Sequence, residues 1–211
     1  MDEKIEKTMK ALRQNKMKPF YAETREELYE IIRGLIKNDK LITAGGSTTL
    51  KESGVTEMLL NEYKGIYLDR SAGKTPEEVE DIMRKAFVSD TFFASANAIT
   101  ENGELYNVDG KGNRVSAMIF GPNQVIIVAG VNKIVKDLDE AKLRVEKTAA
   151  PLNTKRLNCA TPCAVSGECN ILRTGEPCKG DGRICCSYVT LAQQRVPDRI
   201  KVIIVNENLG Y

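Results

Sequence analysis

All six cysteines lie between Cys159 and Cys186, and the chain has no histidine. Together these facts narrow the chemistry. Without an imidazole there is no Ser/His/Asp triad, no Cys/His pair, no histidine-ligated zinc and no proton shuttle of the usual neutral-pH kind. Acid–base work would fall to Asp, Glu, Lys, Tyr or Cys. The cysteines run Cys159-x3-Cys163-x5-Cys169-x8-Cys178-x6-Cys185-Cys186. Thiolates clustered in a loop-rich cytosolic segment most often hold zinc or an iron–sulfur cluster, although the Cys-x2-Cys pair favoured by zinc ribbons and ferredoxins is missing. Disulfides or free thiols are the alternatives. Adjacent Cys185 and Cys186 cannot easily share one ion, so at least one of them is spare.

A second stretch, Lys40 to Gly54, reads as an anion site. Leu41 to Ala44 is a short apolar strand suited to a sheet covered on both faces. Gly45 and Gly46 let the backbone turn sharply and approach a ligand. Ser47, Thr48 and Thr49 supply hydroxyls where a helix would start, and Thr49-x-x-Glu52 has the form of a capping box. A phosphate or carboxylate would fit there. The same residues also meet the needs of any strand-to-helix turn, because the Gly-x-x-x-x-Gly-Lys-Ser/Thr spacing is absent.

The elements that position these groups alternate. Residues 1 to 16 form an exposed amphipathic helix with Ile5, Met9 and Leu12 on one stripe, expected to act as a lid or an oligomer contact. Thr24-x-x-Glu27 opens a core-facing helix carrying Leu28, Ile31, Ile32, Leu35 and Ile36. Val55, Met58 and Leu59 mark a further helical piece, and Gly65 to Asp69 a strand. Thr75-Pro-Glu-Glu78 caps a helix bearing Val79, Ile82, Met83 and Ala86. Such alternation predicts βαβ units and a parallel sheet. From Thr91 come a strand and a hairpin turned at Asn102-Gly103. Then follow the glycine-rich loop Gly110 to Arg114, an apolar stretch Val115 to Phe120, a buried strand at Gln124 to Gly130, a helix with Leu138, Ala141 and Val145, and a last strand at Ile200 to Val205. Residues 151 to 190 carry the cysteines with little periodicity. They read as an insertion held by its own chemistry rather than by an apolar core.

Composition sets the frame. The 211 residues, 42% hydrophobic, suffice for one α/β domain with an appendage. The net charge of +2 gives no electrostatic case for nucleic acid. The apolar runs are too short to span a bilayer and the N-terminus is charged, so the sequence predicts a soluble cytoplasmic protein with no membrane partner.

Four segments carry a family resemblance: Gly-Gly-Ser-Thr-Thr-Leu-Lys-Glu-Ser-Gly from Gly45, Ala-Asn-Ala-Ile-Thr-Glu-Asn-Gly-Glu-Leu from Ala96, Val-Ile-Ile-Val-Ala-Gly-Val-Asn-Lys-Ile-Val from Val125, and the closing Asn-Glu-Asn-Leu-Gly-Tyr. Over nearly the whole chain this resembles the LUD-domain, or lactate-utilisation, family, its stand-alone members most. The resemblance implies the Rossmann-like, mainly parallel sheet of ribose-phosphate isomerases and CoA transferases, and an association with oxidation of lactate to pyruvate. By analogy a small anionic metabolite would sit outside the carboxyl ends of the strands, where Gly45 to Thr49, Asn97 to Glu101 and Gly110 to Arg114 converge. Lys111 and Arg114 would suit its charge, Arg114 bidentately. Glu101-Asn-Gly also resembles the turn bearing the nucleophilic glutamate of some CoA transferases, which makes a transferase or sugar-phosphate isomerase acting through Glu101 the alternative. The family's Cys segment is similar here, favouring Cys163, Cys169, Cys178 and Cys185 as metal ligands with Cys159 and Cys186 as alternates. Partners implied are other subunits of a lactate-oxidation complex or a second copy of the chain.

Overall fold

The structure, a computed structural model, describes residues 2–211. Its strands in chain order are β1 (Lys18–Ala22), β2 (Ile42–Ala44), β3 (Tyr67–Leu68), β4 (Thr91–Ala94), β5 (Ala98–Thr100), β6 (Leu105–Asp109), β7 (Gln124–Gly130), β8 (Ile134–Val135), β9 (Ser187–Leu191) and β10 (Ile200–Val205). Six of them make a sheet in the order β1-β10-β7-β4-β2-β3, with every neighbouring pair parallel. The chain is thus α/β, as its alternating pattern predicts.

The apolar runs of β7 and β10 follow from burial on both faces. Val125, Ile127, Val202 and Ile204 point into one core, and Ile126, Val128, Ile203 and Val205 into the other. Period-two alternation of polarity would expose one side, so none is present. Helix Arg25–Leu35 covers the second face with Leu28 and Ile32. Helix Glu3–Gln14 covers the first with Ile5, Met9 and Leu12. The N-terminal helix is therefore not an exposed lid, because its apolar stripe is buried within its own chain.

A smaller sheet, β8-β5-β6-β9, stands beside the first. Its β5–β6 hairpin turns at Asn102-Gly103 as expected, with Gly103 in the left-handed region at φ 77°. Val115 to Phe120, read only as an apolar stretch, lies largely in helix Asn113–Ile119. The region 151 to 190 is more ordered than its composition suggests. Helix Leu138–Arg144 runs on through a π-helical turn, Val145–Ala149, into Ala150–Arg156. Short helices Pro162–Ser166 and Asn170–Thr174 follow, and β9 then pairs antiparallel with β6 from Leu105↔Leu191 to Asp109↔Ser187. No helix among the described residues is long and apolar enough to cross a membrane.

Candidate functional site

The chain after β2 turns toward β3 at one edge, whereas the chain after β4 leaves for the smaller sheet. A crevice opens where such connections diverge. Here it is a cleft of about 530 Å3, walled by Gly46 to Thr49 after β2, Arg70 after β3, Ser95 to Asn97 after β4, and Lys133 after β7. Asp109 to Lys111 and Arg114 close it from the second sheet, and Tyr211 and parts of the Cys-rich segment complete the wall.

Lys133 is buried in the cleft wall, 3% exposed. Its Nζ donates to Thr49 Oγ1 at 2.8 Å, Ser95 Oγ at 3.0 Å and the Ala96 carbonyl at 3.2 Å, so one side chain ties together the loops after β2 and β4. Burial first, then the nearby Arg144 and Arg114, push its pKa down to about 7, with Glu52 opposing. The folded chain then releases this proton before the unfolded chain does. Between roughly pH 7 and 10 the unfolded state holds more protons, so stability from this group rises with pH. Urea titrations of wild type and Lys133→Met should therefore diverge in favour of wild type across that window. A constant gap would show that Lys133 titrates as an ordinary lysine.

Arg114 departs from the bidentate clamp the sequence suggests. Its Nε donates to Asp109 Oδ1 at 3.2 Å, Nη1 to the Ser95 carbonyl and Asn107 Oδ1, and Nη2 to Asn97 Oδ1 and the Val108 carbonyl. A guanidinium has five N–H donors, and all are committed within the protein. Asn97 is likewise a latch, its Oδ1 also accepting from Val108 N at 2.9 Å. Gly45 and Gly46 are small for a related reason. Neither has positive φ. A Cβ on Gly45 would press on Arg114 Cγ at 3.3 Å, and one on Gly46 would run into the Arg70 guanidinium.

Ser47, not Thr49, caps the short helix Thr48–Glu52, accepting from Leu50 N at 3.2 Å. Thr49 is free of the capping role and holds Lys133 instead, while the Glu52 carboxylate accepts from Gly210 N. Lys111 lines the cleft but is paired with Glu80 and well exposed. Glu101 lies outside the cleft lining, in an ion pair with Lys7 at 2.7 Å that lowers its pKa from the ordinary glutamate value.

The LUD-domain family model matches residues 5–205. The chain belongs to the LUD-domain family. The crystal structure of a DUF162 family protein from Deinococcus radiodurans is similar over 97% of both chains at 12% identity and a TM-score of 0.55, which bears on the fold. No curated protein matches the chain.

Three groups of this LUD domain's cleft escape a reading of the sequence: Lys133, Arg70 and Asp109. The Arg70 side chain makes no hydrogen bond among the described residues and lies half-buried over Gly46, its donors open to the cleft. Asp109 Oδ2 is buried without a partner. The signal for Arg70 and Lys133 was their position just past the carboxyl ends of parallel strands.

All six cysteines are free thiols. Cys163, Cys169, Cys178 and Cys185 line one cavity of about 40 Å3, which shares Val145, Ala150, Thr154, Arg183, Ile184 and Cys185 with the larger cleft. Cys159 and Cys186 line only the larger cleft. Burial, then Cys163, Cys169 and Cys178, push the Cys185 thiol up to about 11, and burial raises Cys169. Among the described residues no three His, Cys, Asp or Glu side chains are grouped so as to hold a metal ion.

Proposed function

We propose that this LUD domain binds a small 2-hydroxy or 2-oxo carboxylate in the cleft and serves as a subunit or accessory of a system that oxidises such acids. The observation that carries this reading is the meeting, in one cleft, of an arginine with uncommitted donors, Arg70, and a buried carboxylate oxygen with no donor, Asp109 Oδ2. The Arg70 fork matches a carboxylate, and Asp109 Oδ2 accepts from a hydroxyl on the adjoining carbon. The family's association with lactate utilisation supports the substrate class. The sequence lacks the Gly-x-Gly-x-x-Gly dinucleotide fingerprint, which favours an electron acceptor housed in another subunit.

Calorimetry with lactate, pyruvate, CoA and a sugar phosphate tests the reading. Lactate or pyruvate should bind, and Arg70→Met should weaken binding about tenfold or more while leaving the melting temperature within a degree or two, since Arg70 supports no other part of the fold. Equal affinity in the variant would remove Arg70 from the site.

The smaller cavity supports a metal-binding reading of the four thiols around it. Zinc or an iron–sulfur cluster would take Cys163, Cys169, Cys178 and Cys185 as ligands, drawing them inward and releasing their protons. Bound there, it would brace a segment with few buried side chains. Protein purified without oxygen should carry about one zinc or one cluster per chain, and chelation should expose the segment between Arg156 and Ser187 to protease. Folded protein free of metal, with every cysteine titrating as a thiol, would end this reading.

A further inference from the structure

Lys133 has a property that anion binding does not require. A cation placed only to attract a carboxylate is best kept protonated, yet the surroundings of Lys133 work against its charge. Its hydrogen-bond partners, Thr49 Oγ1, Ser95 Oγ and the Ala96 carbonyl, are all neutral. Two guanidiniums face it, Arg114 from helix Asn113–Ile119 and Arg144 from helix Leu138–Arg144, against a single carboxylate, Glu52 from helix Thr48–Glu52. Arg144 is held in turn by the Asn132 and Asn97 carbonyls, so it cannot swing away. An amine desolvated beside other cations is the standard arrangement for a nucleophilic lysine.

We propose that Lys133 is an imine-forming residue, its neutral Nζ condensing with the carbonyl group of a small 2-oxo acid held in the cleft. This rests on the reading that the cleft takes a small carboxylate. The Nζ lone pair adds to the carbonyl carbon, a C–N bond forms, and the C=O π pair becomes an alkoxide that takes up a proton. The nitrogen then loses its proton and its lone pair closes the C=N bond as the protonated hydroxyl leaves as water. The Thr49 and Ser95 hydroxyls, 2.8 and 3.0 Å from Nζ, are placed to relay those protons. Thr49 already points its own hydrogen at the Leu209 carbonyl, which turns a lone pair toward the amine. Arg70, holding the carboxylate, would fix the adjoining carbonyl in the cleft.

The test is reductive trapping of the full chain with pyruvate and borohydride, alongside calorimetry of pyruvate binding without reductant. A single adduct is expected on the Lys133 peptide, heavier by one pyruvic acid less an oxygen atom. Its yield should rise as pH passes through about 7. Lactate, which has no ketone group, should compete without forming an adduct. Lys133→Arg, checked for folding by its melting curve, should bind pyruvate without trapping it, and Lys133→Met serves the same purpose if the arginine variant does not fold. Pyruvate that binds but gives no adduct, or an adduct spread over other lysines and kept in the variant, overturns the proposal and leaves the binding reading standing. Neither binding nor trapping overturns both.

Discussion

Arg114→Met should lower the stability of the domain by about 3–5 kcal/mol, because it removes the hub of a buried charge network in which all five of its own donors are committed. The side chains of Arg114 and Asp109 are only 13% and 14% exposed. Methionine fills much of the volume but supplies no donor. The Asp109 carboxylate would then lose its only partner, and the side-chain oxygen of Asn107 and the carbonyls of Ser95 and Val108 would each lose a donor. Since Arg114 joins the loop after β4 to β6, the two sheets would part at the cleft. For a domain of this size the melting temperature should fall by roughly 6–20 °C. Arg70→Met is the contrast, being silent in stability and loud in binding. A drop of only a degree or two in Arg114→Met would mean that its hydrogen bonds are easily replaced by solvent.

Gly103→Ala should be nearly as costly, at about 3 kcal/mol or more, for reasons that do not involve charge. Any side chain at φ 77° adds strain of roughly 1–2 kcal/mol. A Cβ there would also stand 2.6 Å from Ala11 C and Leu12 N, in the backbone of helix Glu3–Gln14. Backbone cannot rotate aside. The helix would have to lift, loosening Ile5, Met9 and Leu12 from the core and breaking the bonds from Asn15 to the Asn102 and Gly103 carbonyls. Gly34→Ala provides the opposite sign. It is exposed within helix Arg25–Leu35 and a Cβ would meet nothing within 4 Å, so alanine should stabilise by about 0.5–1 kcal/mol. Urea midpoints of the two variants against wild type decide the matter, and a Gly103→Ala loss no larger than strain alone would show that the helix yields easily.

Much of the fold was written in periodicity. The stripe of helix Arg25–Leu35, the two-faced runs of β7 and β10 and the Asn102-Gly103 turn are local patterns, and each formed where its pattern lies. Strand β9 was not legible because Tyr-Val-Thr-Leu sits directly behind paired cysteines, and its partner β6 is far away in sequence. The capping residue was misread by two positions because Ser47, Thr48 and Thr49 are chemically alike, and only the backbone decides which hydroxyl faces Leu50 N. At the cleft, residue type suggested that Arg114 serves the ligand. No spacing rule shows that Asp109, Asn107 and Asn97 converge on its donors, or that Arg70, in a plain Asp-Arg-Ser turn, is left with none of its own occupied.

The position of β10 between β1 and β7 also shapes the order of assembly. Phe20 must wait for Ile203, and Val128 for the same residue from the other side. A chain appearing from its N-terminus can nucleate β2, β3, β4 and β7 early, but β7 keeps an open apolar edge and β1 remains undocked until the region after Arg199 arrives. Pairings of such long range close slowly and leave strand edges exposed to other chains meanwhile. The yield of folded protein should therefore be governed less by the stability of the finished sheet than by how promptly its last central strand inserts.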